Sequence, residues 1–102
     1  MRLYEYSSVR FGIGSNPGGG VYITLIPETA EERQLLDEIA GHRFRRRITK
    51  DGDEVPTYTV DERDVITKYG VPIDGGPSRA WDRLAEYLGE DPIKWARKVQ
   101  PV

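Results

Sequence analysis

The chain has 102 residues, 37% hydrophobic and 31% charged, with a net charge of −2 and a pI near 5.4. These values fit one globular domain, residues 1–102, with a single core, and they argue against a protein built chiefly to coat nucleic acid. No run of about 18 apolar residues is present, so no membrane-spanning helix is expected; no cysteine is present, which excludes disulfides, thiolate chemistry and Cys-ligated metals.

Met1 to Tyr6 contain no apolar h-region, so no secretory signal is expected and a cytoplasmic setting is the default. Leu3-Tyr4-Glu5-Tyr6 forms either a separate short strand or the start of the first one. Val9, Phe11 and Ile13 then alternate with Ser8, Arg10 and Gly12, and Val21, Ile23 and Leu25 alternate with Tyr22 and Thr24. Two period-2 segments around the turn-rich stretch Gly14–Gly20 predict an antiparallel hairpin with one buried face. Pro27 ends the second strand, because it cannot donate to a ladder. A helix follows: Thr29 is its N-cap, Glu32 stands at capping-box spacing, Leu35, Leu36, Ile39 and Ala40 form its apolar stripe, and Gly41 is placed to end it as the C′ residue.

A second hairpin comes next. His42, Phe44, Arg46 and Ile48 share one face, Arg43, Arg45 and Arg47 share the other, and the return strand runs near Val55 to Val60. A two-residue Asp51-Gly52 loop would mix the two faces. A three-residue Lys50-Asp51-Gly52 loop, with Gly52 left-handed in a G1 bulge, sets Phe44 against Tyr58, His42 against Val60, and the three arginines against Val55, Thr57 and Thr59. Asp61 is then placed to cap a short helix over 62–69, with Val65, Ile66 and Tyr69 as its apolar side and Gly70 as its end. Val71 to Gly76 form a loop. Pro77 or Ser78 starts a helix that buries Ala80, Trp81, Leu84, Ala85 and Leu88 and stops at Gly89. Asp91-Pro92 restarts the chain as a last helix that buries Ile93, Trp95, Ala96 and Val99. The order ββα-ββ-(α)αα predicts an α+β fold: two antiparallel hairpins in one sheet of about four strands, packed against two to three helices.

The arginine stripe is the sharpest chemical feature. His42 to Lys50 hold five permanent positive charges in nine residues. Arg43, Arg45 and Arg47, alternating on a strand, would project together, and guanidinium groups bind phosphate bidentately. Acidic segments on both sides, residues 27–41 and 51–64, offer the competing outcome of an ion-paired, solvated strand. Arg46 falls among apolar neighbours and needs either a carboxylate such as Glu32 or Glu38, or a route to water. Trp81 and Trp95 lie on apolar helix stripes; Trp95, on the short terminal helix, is also a candidate partner anchor.

Other motifs point away from chemistry. Gly12-Ile13-Gly14 with Gly18 misses the dinucleotide fingerprint, because Pro17 stands where glycine is needed and a strand follows. The acids from Asp51 onward do not make a calcium loop, since Pro56 occupies the glycine position. His42 is the sole histidine and has no neighbouring nucleophile in sequence. No cofactor, metal or catalytic residue is therefore expected. In its general manner (short, acidic, Arg-rich, free of motifs) the chain resembles accessory proteins of phages and other mobile elements, a resemblance that implies no site or activity. The leading expectation is a non-enzymatic protein-binding module, an inhibitor or regulator, with Arg43, Arg45, Arg47 and Trp95 as candidate binding residues. The alternatives are a nucleic-acid binder that contacts phosphates through the arginines, and a small enzyme on a phosphorylated substrate with His42 and an arginine at its site. A homodimer is compatible with each reading.

Overall fold

The computed structural model describes residues 1–9, 20–68, 71–72 and 78–101. Its main sheet is built from β1 (Arg2–Val9), β2 (Gly20–Ile26), β3 (Phe44–Ile48) and β4 (Glu54–Asp61), all antiparallel, in the spatial order β1-β2-β4-β3. Alternate residues of a strand share a face. Leu3, Ile23, Leu25, Tyr58 and Val60 therefore form one continuous apolar surface, and the helices cover it. The first strand starts at Arg2, so Leu3-Tyr4-Glu5-Tyr6 is its beginning rather than a separate element. Phe11, Ile13 and Gly14–Gly19 lie outside the described residues. The pairing shifts between Leu3, opposite Leu25, and Glu5, opposite Thr24, so Tyr4 is an extra residue in a bulge. That bulge lets Leu3 and Tyr6, three apart, both pack on the core.

Helix α1 (Ala30–Ala40) begins as its capping residues dictate. The Thr29 hydroxyl accepts from the Glu32 N–H at 3.1 Å. The Glu32 carboxylate reaches back one residue further than a capping box requires, accepting from the Glu28 N–H at 2.8 Å. Leu36, Ile39 and Ala40 are buried against the sheet; full burial of a leucine is worth about 1.5–3 kcal/mol. Gly41 does not end the helix in a left-handed conformation. Its φ is −61°, and it opens a 3-10 turn, Gly41–Arg43, closed by the Phe44 N–H donating to the Gly41 carbonyl. His42 and Arg43 consequently belong to this turn and not to β3, a correction to the expected strand start.

The β3–β4 register is the one the three-residue loop requires: Phe44 opposite Tyr58, Arg45 opposite Thr57, Arg47 opposite Val55. Gly52 has φ +88°, as the bulge demands. Thr49 ties the turn: its N–H donates to the Asp53 carbonyl at 2.8 Å and its carbonyl accepts from the Gly52 N–H at 2.9 Å.

The segment after β4 departs from the expected helix. Asp61 to Asp64 form a tight turn, in which the Asp61 carboxylate accepts from the Arg63 N–H at 2.8 Å and the Asp64 carboxylate from the Asp61 N–H at 3.1 Å. The chain then runs extended as β5 (Val65–Lys68), paired with β6 (Val71–Pro72) and β7 (Ser78–Arg79) in a small sheet ordered β6-β5-β7. Val65-Ile66-Thr67 are three consecutive β-branched residues, which disfavour helix and favour strand. The local capping signal of Asp61 is used by the turn instead. Tyr69, Gly70 and Ile73–Pro77 lie outside the described residues.

Helix α2 (Ala80–Leu88) starts at Ala80, two or three residues later than expected because Ser78 and Arg79 pair with β5. It buries Ala80 and Leu84 and ends at left-handed Gly89, φ +77°. Helix α3 (Pro92–Lys98) is capped by the Asp91 carboxylate, which accepts from the Ile93 N–H at 2.8 Å, with Pro92 in its first turn. Pro92 and Ala96 are buried, while Ile93, Trp95 and Val99 are half-buried. The class is α+β, as the element order predicts, with a second small sheet that pattern reading missed. Among the described residues no helix is long and apolar enough to cross a membrane.

Candidate functional site

The sheet order places β3 at an edge, paired with β4 alone among the described strands. The β2–β4 ladder ends at Leu25 opposite Tyr58, so the hairpin beyond that point projects past β2. Pro56 sits in this overhang, where its missing N–H costs no ladder bond to β2. Phe44 lies tilted against the buried Tyr58 ring, centroids 5.2 Å apart, yet remains 37% exposed; Ile48 is 66% exposed. The apolar pattern that reads as a buried face is therefore only half used.

The arginines meet different fates, and they do not form one projecting stripe. Arg43, in the 3-10 turn, is 3.2 Å from the Asp64 carboxylate. Arg45 is exposed; its carbonyl accepts from the Thr57 hydroxyl at 2.7 Å. Arg46 is exposed opposite Pro56. The carboxylates expected to meet Arg46 are engaged elsewhere. Glu32 accepts from the Met1 amino group and the Tyr87 hydroxyl, each at 2.8 Å, and Glu38 pairs with Arg83. Arg46 thus takes its route to water. Among the described residues Arg45, Arg46 and Lys50 form no ion pair.

Arg47 is half-buried, with its guanidinium 5.7 Å from the centre of the Tyr4 ring. The Tyr4 hydroxyl donates to the Ile48 carbonyl at 3.2 Å. Tyr4 is on β1 and Ile48 on β3, the two opposite edges of the sheet, so the sheet coils until one edge side chain reaches the other edge. The Arg47 Nε is buried without an acceptor among the described residues. Leaving such a donor unmet costs about 1–3 kcal/mol, which a cation–π contact of about 0.5–2 kcal/mol offsets only in part. Sequence reasoning missed Tyr4. The one available signal was the three-residue spacing of apolar Leu3 and Tyr6, which breaks strand alternation and marks a bulge. Beside Tyr4 lies a depression of about 360 Å³ lined by Tyr4, Glu5, Ile48, Thr49 and Lys50.

Trp95 stands apart from this edge. It belongs to α3, which packs on α2, and its half-buried ring rests against the core. A different cleft, about 340 Å³, is lined by Asp37, Glu38, Ile39, Gly41, His42, Val65 and Ile66. Asp37 accepts from the Tyr58 hydroxyl at 2.5 Å. Burial, together with the Asp37 charge, pushes the Tyr58 phenol above its ordinary value. His42 is exposed at the rim. No aligned nucleophile and base meet there among the described contacts. No group of three or more His, Asp or Glu able to hold a metal ion occurs among the described residues. The glycine-rich segment 14–19 lies outside them. No family model matches this chain, and no curated protein or solved structure resembles it closely enough to count as a match.

Proposed function

We propose that this chain is a small, non-enzymatic protein-binding module whose contact surface is the outer edge of β3. The observation that carries this reading is the exposure of Phe44 and Ile48 on an edge strand that also bears Arg45 and Arg46, cations with no ion pair among the described residues. Exposed apolar side chains among arginines are the mixture that protein interfaces use at their centres. A module of this kind acts as an inhibitor or regulator by occupying a partner's surface. The nucleic-acid reading draws on the same cations. It is weakened by the loss of Arg43 to Asp64 and of Arg47 to Tyr4, which leaves no run of arginines on one face.

A photo-crosslinking residue at Ile48, compared with one at the exposed Lys94 on α3, tests the proposal in extract of the source cells. A discrete protein adduct from position 48 alone, resistant to nuclease and lost in the Arg45→Ala/Arg46→Ala variant, is the expected result. An adduct removed by nuclease, or adducts alike from both positions, overturns it.

A further inference from the structure

We infer that the occupant of the β3 edge is an extended acidic segment of another protein, added as a further strand, with apolar residues flanking its acids. This rests on the reading of β3 as the contact surface. Three observations lead to it.

The first is the state of the backbone. Thr49 bonds across to Asp53, and Arg45 turns its carbonyl toward Thr57 on β4. Backbone direction alternates along an antiparallel strand. Arg45, Arg47 and Thr49 therefore face inward, and the Phe44 carbonyl, both backbone groups of Arg46 and the Ile48 N–H face outward; the Phe44 N–H is already taken by the Gly41 carbonyl. The Ile48 carbonyl is outward too, and it is there that the Tyr4 hydroxyl finds it. Outward groups without a partner among the described residues, as at Arg46, are what an added strand uses.

The second is the distribution of charge. Arg45 and Arg46 point to opposite faces of the sheet. A phosphate backbone lying on one face meets only one of them. A strand lying beside the edge also sends its side chains alternately to the two faces, so consecutive acidic residues on it meet both arginines as lateral neighbours. The edge is positive throughout, which fixes the occupant's charge as negative.

The third is the pair of apolar ends. Phe44 and Ile48 bracket Arg45-Arg46-Arg47, so the strand reads apolar, three cations, apolar, the same in either direction. Ile48 also borders the depression beside Tyr4, which has room for one aliphatic side chain of the occupant.

The test uses the intact chain and a capped peptide, Ser-Val-Asp-Glu-Asp-Val-Ser, titrated by fluorescence anisotropy. Two backbone N-methylated forms accompany it, one methylated at odd and one at even positions, with a single-stranded oligonucleotide of equal charge as the competing probe. Strand addition requires that one methylated form lose at least about tenfold in affinity while the other keeps it, because only alternate N–H groups meet the edge. Side chains and charge are identical in the two, so electrostatics alone cannot separate them. Slowed exchange of the Arg46 and Ile48 amides on binding, and a loss of at least about tenfold in Arg45→Ala/Arg46→Ala, complete the expected result. Equal affinity of both methylated forms, or no binding of the peptide, overturns strand addition; a nuclease-resistant protein adduct at position 48 would then leave the module reading standing alone. Tighter binding of the oligonucleotide, together with a nuclease-sensitive adduct, overturns both.

Discussion

Glu32 accepts three hydrogen bonds, from the Met1 amino group, the Glu28 N–H and the Tyr87 hydroxyl, all at 2.8 Å, while only 4% exposed. It ties the start of β1, the entry to α1 and the side of α2 to one carboxylate. Hydrogen bonds to a charged group contribute about 1.5–3 kcal/mol each before opposing terms, so a simple sum would be far too large. The buried carboxylate is desolvated, Tyr87 is exposed enough to turn its hydroxyl to water, and Glu28 still holds the amino group at 2.6 Å. A net loss of about 2–3 kcal/mol is expected for Glu32→Ala, and about 1 kcal/mol for Glu32→Gln, which keeps an acceptor but loses the charge. Urea unfolding with an unchanged m-value is the assay. The pH dependence has a definite sign. Burial pushes this carboxyl up, but the three donors together hold it below its ordinary value of 4.5. Its stabilisation is therefore complete above that value and is lost as pH falls through the lower folded value, so the gap between wild type and Glu32→Gln should close in acid. Tyr87 supplies a second readout. Its hydrogen bond to Glu32, aided by burial, pushes its phenol up to about 12, and Glu32→Ala should bring it back toward the free value, about 10, by NMR titration of the ring. Loss of less than about 0.5 kcal/mol in Glu32→Ala, or a Tyr87 titration that does not move, would refute the assignment of Glu32 as a junction.

Gly52→Ala places a side chain at φ +88° and should cost about 1 kcal/mol in urea unfolding, while leaving β1–β2 amide protection intact. Tyr58→Phe removes the hydroxyl that Asp37 accepts but keeps the ring against Phe44, so a loss of about 1 kcal/mol is expected, against about 3–5 kcal/mol for Tyr58→Ala. Arg83→Ala breaks the pair with Glu38 at an exposed site; its cost should stay below about 1 kcal/mol and shrink in high salt.

The sequence was most informative where local chemistry and burial agreed. Thr29, Pro27 and the Leu36/Ile39 stripe fixed α1, and the conflict of faces at Asp51-Gly52 was enough to choose the three-residue loop and so the β3–β4 register. Reading failed where two local signals competed. Asp61 is a good helix cap, but the Val65-Ile66-Thr67 run behind it prefers a strand, and β7 supplies the partner that lets it form one. Such a partner, a dozen residues away, leaves no trace in a local window. Gly41 suited a helix end but was taken into a second tight turn, which moved Arg43 off the strand and beside Asp64. The candidate site was thus half legible. The cations of β3 were visible in the sequence, whereas Tyr4 reaching from the far edge depends on the coil of the whole sheet.

The charges on β3 also bear on which partner that edge accepts. An edge strand with exposed Phe44 and Ile48 invites pairing with a second copy of itself. Antiparallel self-pairing centred on Arg46 would set Arg46 against Arg46 and Arg45 against Arg47, like charges at three consecutive positions. Directly opposed like charges destabilise a sheet, and Arg47 would have to leave Tyr4 or bring it along. The arginines therefore disfavour pairing of the edge with its own kind, and on the proposed reading a strand of opposite charge gains where a second copy loses. If a dimer forms through another surface, Arg45→Glu/Arg46→Glu should leave it unchanged in sedimentation while abolishing capture of an acidic peptide. A dimer that strengthens in that variant would instead show that these two charges serve only to keep copies of the chain apart.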